Sequence, residues 1–165
     1  MNAAMTADGF TALMSASAKG HLEIVRCLVE RGGVNVNAAR TTDGMTALMW
    51  AGQEGHLETL RFLLESGGAN VDAARNTDGT TALMSASAKG HLEIARCLVE
   101  RGGANVNAAR TTDGSSALMW AGYKGVLEIV TLLLQHGADR QAADSAGRTA
   151  LSYAFAHPLV QAALA

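Results

Sequence analysis

The sequence predicts an all-α protein, a solenoid of stacked helix–turn–helix units joined by hairpin-like turns, with no true sheet. Three observations support this prediction. An Asp-Gly pair recurs every 35 residues, at Asp8, Asp43, Asp78 and Asp113. Each block that follows it holds two short segments with helical spacing of apolar residues, and glycines end both segments. Neither segment can bury its apolar face alone, so stacking of neighbouring units must make the core.

The first helix of each unit follows the Asp-Gly turn. A hydroxyl residue stands just after the turn and can cap the helix by accepting a free backbone N–H. The five such residues are Thr11, Thr46, Thr81, Ser116 and Thr149. In the second unit we expect this helix over about Thr46–Glu54, ending at Gly55.

The second helix follows at once, over about His56–Ser66 in the same unit. Its apolar residues Leu57, Leu60, Leu63 and Leu64 share one helical face. The pair Gly67-Gly68 is expected to end it, because glycine adopts the left-handed C-cap conformation at low cost. An irregular segment, residues 70–75, then leads to the next turn.

The units are not equivalent. Residues 8–42 and 78–112 differ at only three positions: Phe10/Thr80, Val25/Ala95 and Val34/Ala104. The last unit is shorter, and Pro158 suits the first turn of a final helix over Pro158–Leu164. We predict a single domain, residues 1–165, with units at approximately 6–40, 41–75, 76–110, 111–143 and 144–165.

The first unit almost repeats an internal one, and residues 1–4 align with residues 36–39. The chain is therefore expected to begin inside a repeat. A natural end unit would carry polar residues on its open face. We expect instead an uncapped apolar face on the N-terminal side, where self-association is possible.

Composition excludes several classes of function. Of 165 residues 48% are hydrophobic, which allows a packed core, and 13 basic residues against 15 acidic ones argue against nucleic-acid binding by net charge. The longest apolar run is too short to cross a membrane, and the N-terminus lacks the basic and apolar regions of a secretion signal. Two cysteines are no disulfide scaffold. We expect an intracellular protein in a reducing compartment, cytoplasmic or nuclear.

Residues of chemical interest recur once per unit rather than in clusters. His21, His56 and His91 are expected to form a structural ladder that joins the turn to the second helix, because stacked helices about 8–10 Å apart hold imidazoles too far apart to share a metal ion. Cys27 and Cys97 occupy one equivalent position and are predicted to be buried and reduced. No phosphate-binding glycine loop or catalytic triad pattern is present. We predict no enzymatic activity, no metal, no cofactor and no small-molecule substrate.

A ladder of arginines stands beside the turns, at Arg40, Arg75 and Arg110. It could form a stripe for an acidic or phosphorylated partner. The simpler interpretation, which we favour, is local pairing with Asp43, Asp78 and Asp113 three residues later.

The recurring phrases resemble those of ankyrin repeats, over about the whole chain. Residues 44–51 (Gly-Met-Thr-Ala-Leu-Met-Trp-Ala) and 20–25 (Gly-His-Leu-Glu-Ile-Val) are similar to two family phrases, and residues 133–139 to a third. Alanine replaces the family proline, and Met14, Met49, Met84 and Met119 replace a histidine that ties neighbouring units in the family. We therefore expect a more apolar seam between units.

The resemblance implies a protein-binding module or scaffold whose partner, of unknown identity, lies on the concave face, formed by the turn tips and the first helices. Trp and Tyr anchor many interfaces, and the row after the methionines alternates Ser15, Trp50, Ser85, Trp120 and Tyr153. The tryptophans could instead merely pack over the small serines. The predicted partner-binding residues are Phe10, Met45, Trp50, Gln53, Glu54, Lys89, Ser115, Trp120, Tyr123, Lys124 and Arg148.

Other hypotheses remain open. The chain could be a structural spacer or fragment of a longer array that binds nothing itself. It could be an engineered repeat protein, which the near-identity of units one and three favours and the irregular last two units do not. An enzyme would need a concave pocket with convergent polar groups, which a shallow solenoid seldom makes.

Overall fold

A computed structural model describes residues 7–165, so the expectations about residues 1–4 and the start of the first unit lie outside it. Within this range the chain folds into ten α-helices and no strand. The helices are α1 (Ala12–Ala18), α2 (Leu22–Glu30), α3 (Ala47–Glu54), α4 (Leu57–Glu65), α5 (Ala82–Lys89), α6 (Leu92–Arg96), α7 (Ala117–Lys124), α8 (Leu127–Gln135), α9 (Ala150–Tyr153) and α10 (Pro158–Leu164). The all-α prediction is confirmed.

The first helices of the first three units begin as the sequence indicates. The Thr46 hydroxyl accepts the backbone N–H of Met49 at 3.4 Å, and Thr11 and Thr81 cap α1 and α5 in the same way. Ser116 holds the same position before α7 but makes no capping bond with the described residues. Gly55, with φ of 83°, ends α3 in the left-handed conformation.

The even-numbered helices end slightly differently from the expectation. Of the predicted stop pair only Gly68 is left-handed, with φ of 65°. Gly67 is needed for space, because a Cβ there would lie 2.9 Å from the carbonyl oxygen of Leu63. In the third unit α6 continues as a π-helical turn over Cys97–Arg101.

The helices form two layers. The first helices α1, α3, α5, α7 and α9 stack on one another, and the second helices α2, α4, α6, α8 and α10 form the other layer. Met14, Met49, Met84 and Met119 are buried between units, which confirms the apolar seam. Leu60, Leu98 and Leu133 of the second helices complete the core.

Turns and loops also tie each unit to the one before. The backbone N–H of Asn76 donates to the carbonyl of Asp43 at 3.0 Å, and Thr111 donates to Asp78 at 2.9 Å. Isolated β-bridges close the turns, for example between Ala74 and Thr81. The hairpin-like turns are therefore confirmed.

The histidine ladder is structural, but its partner differs from the one expected. The Nε2 atom of His91 lies 3.2 Å from the carbonyl oxygen of Gln53, and that of His56 lies 3.1 Å from the carbonyl oxygen of Ala18. Since a carbonyl only accepts, Nε2 carries the proton. The imidazoles of His56 and His91 thus join their own second helices to the first helix of the preceding unit, whereas His21 is exposed. His157 makes the same bond to Tyr123 at 3.2 Å.

The prediction of two buried cysteines is wrong for one of them. Cys97 is buried, whereas Cys27 is exposed, and both thiols are free. Phe62 and Leu132 hold the equivalent position in other units and are buried. They lie between two second helices, whereas the only second helix packed against α2 in the described part of the chain is α4.

Candidate functional site

The concave face, formed by the turn tips and the solvent side of the first helices, carries most of the predicted binding residues. Glu54, Lys89, Tyr123, Lys124 and Arg148 are exposed there. Phe10, Trp50, Gln53 and Trp120 are half-buried. Nine of the eleven predicted residues, all on turn tips or first helices, are therefore at least partly accessible to solvent.

The other two predicted tip residues point inward. Met45 is 5% exposed and Ser115 is 1% exposed. The Ser115 hydroxyl is held within its turn, where it donates to Asp113 at 2.8 Å, and Met45 packs into the apolar core. The expectation that their side chains face a partner is wrong.

Trp50 is packed by its neighbours. The Phe10 ring meets it edge-on, with ring centroids 5.9 Å apart and planes at 89°. The Arg40 guanidinium carbon lies 5.2 Å from the Trp50 ring centroid. The Trp50 indole N–H is buried and has no hydrogen-bond acceptor among residues 7–165.

Trp120 is the counterpart of Trp50 two units on, and its surroundings are more open. Its ring meets that of Tyr123 edge-on at 6.3 Å, and the Arg110 guanidinium carbon lies 5.7 Å from its centroid. Tyr123 is 56% exposed. A groove of about 150 Å³, here named the Trp120 groove, opens beside the indole. Its lining residues are Gln53, Thr80, Met84, Ser85, Ala88, Lys89, Arg110 and Trp120.

The arginine ladder is paired with the turn aspartates, as the favoured interpretation predicts. Arg40 donates to Asp43 with Nε at 2.9 Å and with a second, closer bond. Arg75 lies 3.8 Å from Asp78 and 3.9 Å from Asp43 of the preceding turn. The ladder therefore consists of ion pairs that link turns, and its charge is largely satisfied within the protein.

These contacts lower the pKa values of the turn carboxyls. The hydrogen bond from Arg40 is the main cause of the lowered pKa of Asp43. Burial is the largest single influence on the pKa of Asp78 and raises it. Hydrogen bonds from Thr80 and the charges of Arg75 and Arg110 together outweigh burial, so the pKa is lowered overall. The N–H of Ser115 is the main cause of the lowered pKa of Asp113.

The last turn closes a small polar cluster. Asp144 accepts the backbone N–H of Arg148 at 2.8 Å and the Tyr153 hydroxyl at 2.8 Å. The backbone bond from Arg148 and then its side chain hold the pKa of Asp144 well below its usual range. Burial, together with Asp144, raises the pKa of Tyr153. This cluster fixes Arg148 at the tip.

The remaining reactive groups stand apart. In residues 7–165 no three His, Cys, Asp or Glu side chains come close enough to hold a metal ion. Burial raises the pKa of the Cys97 thiol, which keeps it in the poorly nucleophilic protonated form. None of the described helices has the length and apolar character to cross a bilayer.

Sequence reasoning missed the Trp120 groove and the role of His157. The signal for the groove was present, because Phe10/Thr80 is one of the three differences between near-identical segments. The signal for His157 was its place just before a second helix, where His56 and His91 also stand.

Comparison with protein families gives a match along almost the whole chain. Residues 1–75, 33–110, 67–144 and 103–163 each match the family described as ankyrin repeats, three copies. No curated protein matches the chain.

Proposed function

The chain belongs to the ankyrin repeat family, and we propose that it is a non-catalytic scaffold that binds a protein partner on its concave face and turn tips. Ankyrin repeats are in general protein–protein interaction modules. We also propose that the chain consists of five units and that it works in a reducing compartment, the cytoplasm or the nucleus.

The observation that supports it most strongly is the aromatic pair Trp120 and Tyr123 on the solvent side of α7. Large aromatic side chains with one polar atom bury much area at low entropic cost and are enriched at interaction hot spots. Tyr123 packs edge-on against Trp120 and still leaves 56% of its surface exposed.

Charge on the same surface supports a partner rather than an internal role. Lys124 follows Tyr123 on α7, Lys89 of α5 lines the Trp120 groove, and neither forms an ion pair with any of residues 7–165. The turn arginines, by contrast, are all paired. The two lysines are therefore available to carboxylates of a partner.

The remaining predicted residues contribute less to the proposed binding surface. Trp50 and Phe10 pack mainly against each other, and Gln53 donates to Glu54 at 3.0 Å. We place them at the edge of the binding surface, with Arg148 at the far tip. Met45 and Ser115 are omitted because they are buried.

A second hypothesis, a spacer that associates only with itself, rests on apolar side chains at the two ends of the stack. Ile24 lies exposed on α2, Phe155 lies exposed between α9 and α10, and Leu159 lies exposed on α10. Such a protein would bind no other partner and would associate through these ends.

The two hypotheses are distinguished by affinity capture from native cell extract with quantitative mass spectrometry. The test variant changes three exposed concave-face residues together, Lys89→Ala, Tyr123→Ala and Lys124→Ala. The matched control changes three exposed residues of the second-helix layer together, Arg96→Ala, Thr131→Ala and Gln135→Ala.

We expect the native chain and the control to retain the same protein and the test variant to lose most of it. Equal retention by all three chains would reject the concave face as the binding surface. Capture of nothing but the chain itself, with association abolished by Ile24→Ser, would favour the spacer.

A further inference from the structure

The Trp120 groove has a counterpart in the same molecule whose turn tip carries an aromatic ring. Seven of its eight lining residues, all but Gln53, have an equivalent 70 positions earlier, and six of the seven are identical. Met84, Ser85, Lys89, Arg110 and Trp120 correspond to Met14, Ser15, Lys19, Arg40 and Trp50. The difference is at the turn tip, where Thr80 stands in place of Phe10.

The side chains of Trp50 and Arg40 pack against an aromatic ring, that of Phe10. Its ring meets Trp50 edge-on at 5.9 Å, and the Arg40 guanidinium carbon lies 5.9 Å from its centroid. Thr80 is too short to make either contact with Trp120 and Arg110. Trp120 and Arg110 bound the groove. Their equivalents two units earlier, Trp50 and Arg40, contact the ring of Phe10.

The size and the charge of the groove suit an aromatic ring with a negative charge nearby. Its volume is about 150 Å³, and an apolar cavity of about that size holds a benzene ring. Met84, Ala88 and the Trp120 ring supply apolar contact, and Lys89 supplies a cation without an ion-pair partner among the described residues.

We propose that the Trp120 groove receives an aromatic side chain of phenylalanine size from the partner protein, with a neighbouring carboxylate of that partner meeting Lys89. The ring takes the place beside Trp120 that Phe10 takes beside Trp50. Edge-to-face contact with the indole and stacking under the Arg110 guanidinium favour an aromatic over an aliphatic side chain. This inference rests on the proposed protein-binding function and names the chemistry of the partner.

The test uses 3-phenylpropionate, a benzene ring with a carboxylate, titrated into the ¹⁵N-labelled full chain and followed by the two indole N–H resonances. We expect the Trp120 resonance to shift and to saturate in the millimolar range, as befits a single side chain. Hexanoate, which lacks the ring, should bind more weakly.

Two reciprocal variants give the controls. Thr80→Phe should fill the groove and weaken the probe at Trp120 at least about tenfold. Phe10→Thr should open a second site, so that the Trp50 resonance shifts as well. Lys89→Gln should weaken 3-phenylpropionate about two- to fivefold, the size of an exposed ion pair, and leave 3-phenylpropanol unchanged.

A native chain whose Trp120 resonance does not shift, or an equal shift in Thr80→Phe, would overturn the proposal. A partner protein held as tightly by Thr80→Phe as by the native chain would also overturn it, while protein binding would still stand. Probe binding with no captured partner would overturn the proposed function instead, because the groove would then accept an aromatic ring that no protein supplies.

Discussion

The guanidinium of Arg110 lies 3.2 Å from the carboxylate of Asp78 in the preceding turn. Its other terminal nitrogen donates to Asp113 of its own turn at 3.3 Å. One arginine therefore connects two consecutive units. The local half of this arrangement follows from sequence spacing, whereas the half between units is visible only once the turns are stacked.

Replacing Asp78 by asparagine should weaken this connection. The introduced amide can still accept the N–H of Thr80, which Asp78 accepts at 3.0 Å, but it lacks the charge that faces Arg75 and Arg110. We expect Asp78→Asn to lower the free energy of unfolding by about 1–2 kcal/mol, measured by urea titration.

The matched control is Asp139→Asn. Asp139 also accepts a backbone N–H two residues on, from Gln141 at 2.8 Å, and asparagine already makes the equivalent bond at Asn70 and Asn105. Its change should stay within about 0.5 kcal/mol. Equal losses in both variants would show that the turn carboxylates are not held by the arginines.

Acid should destabilise the stack. The pKa values of Asp43, Asp78, Asp113 and Asp144 are all lowered in the folded chain. Since a carboxyl with a lowered pKa binds protons more readily when unfolded, its stabilising contribution is complete above the unfolded pKa of about 3.9. That contribution is lost as pH falls through the folded value.

Above about pH 5 these carboxyls are ionised in both the folded and the unfolded chain, so they should leave the urea midpoint unchanged. Below about pH 4 we expect the urea midpoint to fall steadily. Asp78→Asn should show a shallower fall, because one of the four carboxyls is missing. A native chain whose stability rises on acidification between these values would contradict the assignment of the turn ion pairs.

Leu98 lies at the centre of the second-helix layer and is 0% exposed. Leu98→Ala should cost about 2–5 kcal/mol, because it removes buried methyl groups and leaves a cavity. The loss should affect several units, since each unit is stable only through its neighbours. Leu159→Ala, at a residue 74% exposed, is the control and should cost little. A loss well below 1 kcal/mol at Leu98 would show that the core has been misplaced.

The Phe10/Thr80 difference should also appear in stability. Thr80→Phe adds a ring contact with Trp120 and should stabilise the chain by about 0.5–1.5 kcal/mol, the range of an aromatic pair. Phe10→Thr should destabilise it by a similar amount. Thermal unfolding of the two variants measures both effects, and a shift of the same sign in both would contradict the equivalence of the two places.

The sequence could predict features that depend on a few adjacent residues. The hydroxyl cap at Thr46 and the left-handed stop at Gly55 need only local chain geometry, and both are found. Burial is different, because it depends on what lies on either side of a unit. Cys27 and Cys97 have almost the same local sequence, yet only Cys97 lies in a segment that packs against the second helix of a preceding described unit, α4.

The candidate site shows the same limit. Met45 and Ser115 stand at tip positions, but Met45 packs into the apolar core and the Ser115 hydroxyl bonds Asp113, contacts that a family pattern does not specify. The Trp120 groove depends on three units at once, since Gln53, Thr80 and Trp120 line it together. The Phe10/Thr80 difference marks the place in the sequence, but the lining of the groove is visible only once the units are stacked.

Hydrogen exchange on the chain, free and bound to a captured partner, tests most directly whether the concave face is the binding surface. The proposed function predicts slower exchange in the turn tips and first helices, above all in α5 and α7 and in the turn at residues 78–81. Protection confined to the second helices α4, α6 and α8, with α5 and α7 unchanged, would contradict it.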